Sequence, residues 1–352
     1  MFVIGLGTAV PPNRYTQREC FDAFQTAPLL STLQPRSRAL LRKVLLGVNG
    51  IGSRHLALAS IAEAFDLNPD TLHARFARHA PALATQAAER ALADAICAAR
   101  DIDALVVSTC TGYLCPGLTS YVAERLSLPA DLLTLDLVGQ GCGAALPNLR
   151  AAEALLAGGG ARSVLSVCVE VCSAAPYFDD DPGVLISACL FGDGAGAAVL
   201  SREPAGHSRR VEWKTAVSVL KPAHRDQLRF EQRGGLLRNI LTVEVPAIAA
   251  QAVAEILDQA LAQASVSREE IRGWMMHAGG RDVLDALRLK LGLTPEDLRW
   301  SSEVLRDHGN MSSPSVYFTL QRALAEGAPA GWWWLCSFGA GFSCHGALLQ
   351  VE

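Results

Sequence analysis

Residues 138–149 read VGQGCGAALPNL and join an apolar strand to an alanine-rich helix. Cys142 stands at this junction between two glycines. A turn from a strand into a helix exposes the side chain that it carries, and N–H groups at the start of a helix favour a negative charge there. We therefore predict that Cys142 is a nucleophile that carries an acyl group. Because proline is tolerated only in the first turn of a helix, Pro147 indicates that Cys142 precedes the regular helix, or that the helix begins irregularly.

The composition indicates a large buried core. Of the 352 residues, 50% are hydrophobic and 19% are charged, which suits two domain-sized units or one large duplicated fold. The net charge of −4 gives no overall attraction to nucleic acid or to an anionic membrane. The amino terminus lacks the basic and apolar regions of a signal peptide, and no apolar run reaches the ~20 residues of a bilayer span. We expect a cytoplasmic protein without a membrane span or a nucleic-acid partner.

The ten cysteines are not spaced as metal ligands. Most of them lie in apolar runs typical of strands, as Cys168 and Cys172 do, and we expect them to be reduced and buried. Zinc sites need closely paired cysteines or nearby histidines, so we predict no metal site. The glycines of residues 192–196 fit neither the Rossmann nor the P-loop pattern and are interpreted as a tight turn.

Predicted strands and helices alternate along the chain, which indicates an α/β fold with mixed or parallel sheets. The predicted strands cover residues 2–9, 103–109, 132–138, 163–170, 197–201, 211–219, 271–276, 332–337 and 344–351. The predicted helices include 82–100, 247–264, 281–291 and 313–325. The polar segment 202–210 is the best boundary because it contains proline and glycine. It separates an N-terminal half, 1–205, which carries Cys142, from a C-terminal half, 206–352.

Three junctions are predicted to share one design, a strand followed by a turn that carries a reactive or polar residue. The first carries Cys142, the second carries His277 after the strand 271–276, and the third carries Asn310 before a helix. Loops after the carboxyl ends of strands converge at one edge of an α/β sheet, so these residues can meet. A neighbouring imidazolium would favour the Cys142 thiolate. The neutral Asn310 amide would donate a hydrogen bond to an acyl oxygen, and would stabilise an enolate without repelling a departing carboxylate.

Four motifs carry a family resemblance: GQGCG (139–143), LFGDGA (190–195), HAGG (277–280) and GNMSS (309–313). In this order and spacing they resemble the bacterial type III polyketide synthases, of the chalcone/stilbene synthase family. The resemblance implies a thiolase-like α/β fold in which two αβαβα halves form a five-layered core, usually in a homodimer. It also implies a decarboxylating acyltransferase that uses acyl-CoA and malonyl-CoA and holds no permanent cofactor.

The resemblance also implies roles for individual residues. Cys142, His277 and Asn310 match the family's catalytic triad: Cys142 takes the starter acyl group from coenzyme A, and the other two hold malonyl-CoA during its decarboxylation. Phe191 matches a phenylalanine at the mouth between the CoA tunnel and the cavity. The candidates for CoA binding are Arg42, Lys43 and Arg54. The remaining candidates for substrate binding are Cys115, Cys172, Ser173, Ala174, Ala175, Ser312, Gly339 and Gly341.

Two departures from the family pattern concern the cavity and its mouth. The family's second gatekeeping phenylalanine should fall within 235–240, where this sequence has none. The terminal glycine motif, 338–343, has alanine where proline is usual, which is similar to ketoacyl-ACP synthase III enzymes. The small side chains predicted to line the cavity leave volume for a long or bulky starter. We therefore predict an aliphatic acyl-CoA starter, long chains included, and an alkylpyrone or alkylresorcinol product.

Three alternatives are weighed against this prediction. A ketoacyl-ACP synthase III-like enzyme would share the triad and make a single condensation, and the GNMSS and GQGCG contexts argue against it. A catalytically inactive homologue that serves as an assembly partner finds no support, since all three triad residues are present. Protease-type Cys/His/Asn chemistry is disfavoured because the flanking motifs do not match.

Overall fold

The computed structural model of the chain describes residues 1–206 and 209–352. Its strands are β1 (Phe2–Ala9), β2 (Arg14–Thr16), β3 (Ser53–His55), β4 (Ala104–Ser108), β5 (Leu133–Leu137), β6 (Ser163–Glu170), β7 (Gly194–Ser201), β8 (Val211–Leu220), β9 (Leu228–Arg233), β10 (Leu236–Leu241), β11 (Ile271–Met276), β12 (Gly331–Gly339) and β13 (Ser343–Val351). Its α-helices are α1 (Gln17–Thr26), α2 (Pro35–Leu46), α3 (Pro69–Ala95), α4 (Leu118–Leu126), α5 (Ala145–Ala157), α6 (Pro182–Leu190), α7 (Val245–Ala264), α8 (Arg281–Leu291), α9 (Arg299–His308) and α10 (Ser315–Ala325).

The long strands form two groups joined at one point. The order in the described part of the chain is β11-β12-β13-β8-β1-β7-β6-β4-β5, so the strands that precede residue 202 lie on one side and those that follow residue 210 on the other. The groups meet where β1 pairs with β8 at Phe2 and Val3. The connection between the halves contains His207 and Ser208, which lie outside the described residues. The division at 205/206 stays a prediction.

Helices cover both groups of strands and fill the space between them. α5 and α10 share a buried core with residues from both groups, such as Val106 and Val164 on one side and Trp333 and Leu349 on the other. α3 and α4 pack on the outer face of the first group, and α7 and α8 pack on the outer face of the second. The layers therefore alternate helix, sheet, helix, sheet and helix. This confirms the five-layered α/β core that the resemblance implies.

Burial on both faces explains the apolar strands of this core. β4 is parallel to β5 and β6 and buried along its whole length, as expected for a sheet covered by helices on both sides. Close approach explains Gly7 in β1, because a side chain there would overlap with the backbone of Ala87 in α3. The predicted helix 82–100 is the second part of α3, which begins at Pro69 and contains Pro81.

The helix α7 has the length and apolar composition of a membrane span, and half of its apolar window is buried in the protein. Ala249, Val253 and Ile256 of this helix belong to the core. This is the packing of a core helix. A core helix can have the same length and apolar composition as a membrane span.

Three elements near the site were not predicted: α6, α9 and the hairpin of β9 and β10. The third predicted junction is also corrected by the structure. Asn310 follows the helix α9 rather than a strand. It reaches the site because its backbone forms a parallel bridge with Phe191 at the end of α6.

Candidate active site

Cys142 lies on a single turn of 3-10 helix, Gly141–Gly143, between β5 and α5. α5 begins at Ala145, so Pro147 falls in its first turn, where the missing N–H costs nothing. Gly141 has a φ of 54°, a left-handed conformation that favours glycine. Of the two arrangements that the sequence leaves open, the structure has the first: Cys142 precedes the regular helix.

Ser312 connects the Cys142 thiol to Asn310. Its hydroxyl donates to the sulfur over 3.2 Å, and its backbone N–H donates to the Asn310 side-chain oxygen over 2.8 Å. The Asn310 amide nitrogen donates to the carbonyl of Gly279 over 3.0 Å. An amide nitrogen carries two hydrogens, so Asn310 is fixed in orientation and keeps one N–H for a ligand.

His277 is held at the end of β11 by backbone hydrogen bonds, with its N–H donating to the carbonyl of Cys336 over 2.9 Å. Its ring stands edge-on to Phe338, with centroids 5.2 Å apart. The next residue, Gly339, packs so closely on the 3-10 turn that a side chain there would clash with the N–H of Gly143. The imidazole makes no hydrogen bond to Cys142 among the described residues, and its buried Nδ1 has no partner there. Ser312 thus links the thiol to Asn310, and Asn310 is bonded to Gly279, two residues after His277.

Burial sets the protonation states of this site. It raises the pKa of the Cys142 thiol to about 12, against an opposing hydrogen bond from Ser312. It lowers the pKa of His277 to about 4. Desolvation disfavours the charged form of each group, so burial opposes the predicted thiolate–imidazolium pair. The pair stays a prediction.

Glu170 is a site residue that the sequence analysis missed. It ends β6, is fully buried, and accepts hydrogen bonds from the hydroxyls of Ser313 at 2.7 Å and Thr111 at 2.9 Å. It also accepts the backbone N–H of Cys110 at 3.0 Å. Burial raises the pKa of this carboxyl, and these hydrogen bonds oppose the rise. A charged residue that closes an apolar strand was the signal in the sequence.

A cavity open to solvent leads to the Cys142 thiol, whereas His277 and Asn310 are not among its described lining residues. Of the predicted substrate-binding residues, those that line it are Phe191, Cys172, Ser173, Ala175 and Ser312. Those that do not are Cys115, Ala174, Gly339 and Gly341. Cys115 is exposed on the surface, which contradicts its predicted place in the cavity of this chain. In the glycine motif, Ala340 is the residue that reaches the cavity, while its glycine neighbours serve backbone packing.

Comparison with known proteins agrees with this geometry. A sequence family described as FAE1/type III polyketide synthase-like protein matches residues 11–263, and the chalcone and stilbene synthase C-terminal domain matches residues 216–351. The chain belongs to the type III polyketide synthase family. The alternative of a ketoacyl-ACP synthase III-like enzyme is accordingly disfavoured.

The relatives are similar along almost the whole chain. The 3,5-dihydroxyphenylacetyl-CoA synthase of Streptomyces toyocaensis is 29% identical over 99% of this chain and 89% of its own length. The alpha-pyrone synthesis polyketide synthase-like Pks18 of Mycobacterium tuberculosis is 28% identical over 99% and 90%. The crystal structure of PKS-I from the brown alga Ectocarpus siliculosus superposes with a TM-score of 0.90 at 27% identity, over 99% of this chain and 98% of that one. 1,3,6,8-Tetrahydroxynaphthalene synthase of Streptomyces coelicolor has a TM-score of 0.88 at 25% identity, over 100% and 99%.

Type III polyketide synthases are decarboxylating acyltransferases that act on CoA thioesters and need no permanent cofactor. In residues 1–206 and 209–352, no group of histidine, cysteine, aspartate and glutamate is arranged to hold a metal ion.

The segment 235–240 lacks the phenylalanine of the family pattern, and the structure places another phenylalanine beside it. The hairpin of β9 and β10 pairs Asn239 with Phe230, and both line the cavity. A phenylalanine therefore stands across the hairpin from the segment 235–240, where the pattern places one. The Asn239 amide donates to the hydroxyl of Ser187 on α6 over 3.0 Å.

The three basic residues predicted to bind CoA lie in different surroundings. Arg42 and Lys43 are exposed on α2, and the Arg42 guanidinium lies 5.7 Å from the centre of the Phe21 ring. Both stay candidates for CoA binding. Arg54 is only 4% exposed and donates to the carbonyls of Ala188 and Phe191. Arg54 nevertheless lines the same cavity as Cys142, and its role in CoA binding stays a prediction.

Proposed function

We propose that this enzyme loads an aliphatic acyl-CoA starter on Cys142 and extends it with malonyl-CoA to an alkylpyrone or alkylresorcinol product. We further propose that it does so in the cytoplasm, as a homodimer. The starter proposal is supported above all by the apolar part of the cavity.

This apolar part, here called the acyl lobe, is lined by Phe24, Leu58, Ile61, Ala64, Phe65, Phe178 and Val184. Three of its aromatic rings pack on each other, with Phe24 centred 4.9 Å from Phe65 and 5.4 Å from Phe178. Burial of an alkyl chain is worth about 0.8 kcal/mol per CH₂. A chain of many methylenes would therefore gain more from this lobe than a short or polar starter.

The small residues near the nucleophile support the same substrate class. Cys172, Ser173 and Ala175 line the cavity together with Cys142, and none of them carries a ring or a long side chain. A flexible chain attached to the sulfur would pass them to reach the acyl lobe. An aromatic starter needs no such apolar depth.

In the proposed reaction, Cys142 first exchanges thioesters with the starter. Its sulfur bonds to the acyl carbon, the bond from that carbon to the CoA sulfur breaks, and the thiol proton leaves with coenzyme A. The high pKa of Cys142 means that this proton is present at neutral pH. Cys142 therefore begins the cycle as a thiol.

His277 and Asn310 would then bind the thioester oxygen of malonyl-CoA. The bond between the α-carbon and the carboxylate breaks, CO₂ leaves, and the electron pair stays as an enolate that receives hydrogen bonds from both residues. The α-carbon attacks the acyl group on Cys142, a carbon–carbon bond forms and the sulfur departs as a thiolate. A low pKa keeps His277 neutral, so neither donor would hold the carboxylate back by its charge.

Mass spectrometry of products from malonyl-CoA and a series of starters tests the proposal. The series contains straight-chain acyl-CoA thioesters of increasing length and an aromatic thioester. We expect turnover to rise with chain length and each product to contain several acetate units. Equal or better turnover of aromatic or short starters would overturn the aliphatic starter, and a single added acetate unit would revive the single-condensation alternative. Absence of an acyl adduct on Cys142 would revive the inactive homologue.

The proposed homodimer is supported by the edge of the sheet at β5. Leu133 at the start of this strand is 43% exposed, Val138 after it is 62% exposed, and Tyr113 is 71% exposed. A second copy of the chain would bury these apolar groups.

Light scattering of the wild type should give twice the mass of one chain, and Val138→Glu should shift the population towards monomer. A monomeric wild type would contradict the dimer.

A further inference from the structure

Arg54 is a buried cation that binds backbone rather than a carboxylate. Its side chain is 4% exposed, and its Nη1 donates to the carbonyl oxygens of Ala188 and Phe191, each over 2.8 Å. No ion pair involves Arg54 within residues 1–206 and 209–352. A buried charge without hydrogen-bond partners is costly. These two hydrogen bonds therefore stabilise the guanidinium in its buried position.

The two carbonyls belong to the end of α6. This helix runs from Pro182 to Leu190, and carbonyls at a helix C-terminus carry partial negative charge without a partner in the helix. A guanidinium at this position satisfies two of them and is favoured by the helix dipole. Arg54 thereby fixes the backbone from which Phe191 projects into the mouth of the cavity.

The same end of α6 is paired with Asn310. The Asn310 N–H donates to the carbonyl of Leu190 and the Gly192 N–H donates to the carbonyl of Asn310, each over 2.9 Å. Gly309 has a φ of 72°, and a side chain there would come 2.8 Å from the Arg54 Cγ. The stem of Arg54 therefore packs directly against the residue before Asn310.

We infer that Arg54 is a positioning residue that holds the gate residue Phe191 and the catalytic Asn310 in one rigid junction. Arg54 lines the same cavity as Cys142, but within residues 1–206 and 209–352 it makes no hydrogen bond to the thiol. Without it, the end of α6 loses two hydrogen bonds, and the backbone that carries the Asn310 amide is free to shift. The inference rests on the proposed role of Asn310 in decarboxylation, and not on the identity of the starter.

Two partial reactions separate this role from a general loss of structure. Conversion of malonyl-CoA to acetyl-CoA depends on the placement of Asn310, whereas transfer of an acyl group to Cys142 takes place without decarboxylation. Because a displacement of about 1 Å can cost about 100-fold in rate, we expect Arg54→Met to slow decarboxylation about 10- to 100-fold and acyl transfer less than about threefold. Arg54→Lys keeps the charge and should fall between the wild type and Arg54→Met in decarboxylation.

The experiment measures acetyl-CoA by chromatography and the acyl adduct on Cys142 by intact mass. Thermal unfolding of each variant shows whether it is folded. The matched control is Arg209→Met, which also removes a guanidinium that donates to two carbonyls, those of Ala328 and Glu352, outside the cavity lining. The control should keep the wild-type ratio of the two rates. An unchanged ratio in folded Arg54→Met, or in Arg54→Lys where Arg54→Met does not fold, would overturn the inference. Lack of decarboxylation in the wild type would instead overturn the role of Asn310.

Discussion

The Ser312 hydroxyl donates a hydrogen bond to the Cys142 thiol over 3.2 Å, and Ser312 makes this contact from a left-handed backbone with a φ of 60°. A residue other than glycine rarely adopts this conformation, and it costs on the order of 1 kcal/mol. The strain is offset by the hydrogen bond from the Ser312 N–H to Asn310. Ser312 thus ties the orientation of the Asn310 side chain to the surroundings of the Cys142 thiol.

Removal of the Ser312 hydroxyl should make Cys142 less reactive. The hydrogen bond lowers the pKa of the thiol, so Ser312→Ala should raise that pKa and slow alkylation by iodoacetamide about 5- to 10-fold, the equivalent of about 1 to 1.4 kcal/mol. Ser312→Gly removes the hydroxyl and also relieves the positive φ. Ser312→Gly serves as the comparison. The same slowing of alkylation in both variants would assign the effect to the hydroxyl, and wild-type reactivity in both would contradict the role of the hydroxyl.

Alkylation of Cys142 should depend steeply on pH. With a thiol pKa of about 12, the thiolate fraction at lower pH rises about tenfold for each pH unit. The rate of iodoacetamide labelling, followed on the peptide that contains Cys142, should therefore increase about tenfold per unit from about pH 6 to about pH 9. A rate that levels off at low pH would show instead that a thiolate–imidazolium pair forms in solution.

Cys142→Ala should separate decarboxylation from condensation. The variant lacks the sulfur that holds the starter, so it should form no polyketide. His277 and Asn310 are held by contacts with Cys336, Gly279 and Ser312, none of which needs the thiol. Malonyl-CoA should therefore still be converted to acetyl-CoA, as measured by chromatography. Loss of both activities in a folded variant would contradict this division of roles.

Asn310→Asp tests the amide with almost no change in shape. The aspartate can still accept the Ser312 N–H, but it lacks the N–H groups of the amide and places a negative charge beside the malonyl carboxylate. Loss of a donor of this kind costs about 100- to 1000-fold, and we expect acetyl-CoA formation to fall by that amount. Acyl transfer to Cys142 is the internal control, and full decarboxylation would exclude the assigned role.

The layers could be predicted from the sequence, and the triad could be proposed from it, because both depend on local signals. Glycine-flanked turns mark Cys142 and His277, and long apolar runs mark strands such as β6, whose predicted bounds are those of the structure. The charge states could not be predicted in this way. They depend on how much water the folded protein removes from the thiol and the imidazole, and many segments contribute to that burial.

Other parts of the site depend on pairing across the chain. Phe230 stands beside Asn239 only because of the register between β9 and β10. The segment 235–240 by itself gives no sign of this phenylalanine. Arg54 is one of three basic residues predicted to bind CoA, and its charge alone does not distinguish it from the exposed Arg42. Glu170 accepts hydrogen bonds from two other segments of the chain, residues 110–111 and Ser313. Each of these residues acquires its role from partners distant in sequence.

The acyl lobe predicts a variant with altered chain-length preference. Ala64 lines the lobe, whereas Ala62, two residues earlier, is exposed. Ala64→Phe should fill part of the lobe, so it should reduce turnover of the longest straight-chain starters about tenfold or more, since loss of two methylene contacts at about 0.8 kcal/mol each exceeds a factor of ten. Short starters should be unaffected, and Ala62→Phe should keep the wild-type profile. If Ala64→Phe lowers the turnover of long and short starters equally, the alkyl chain of the starter lies elsewhere, because a blocked lobe affects only substrates that reach it.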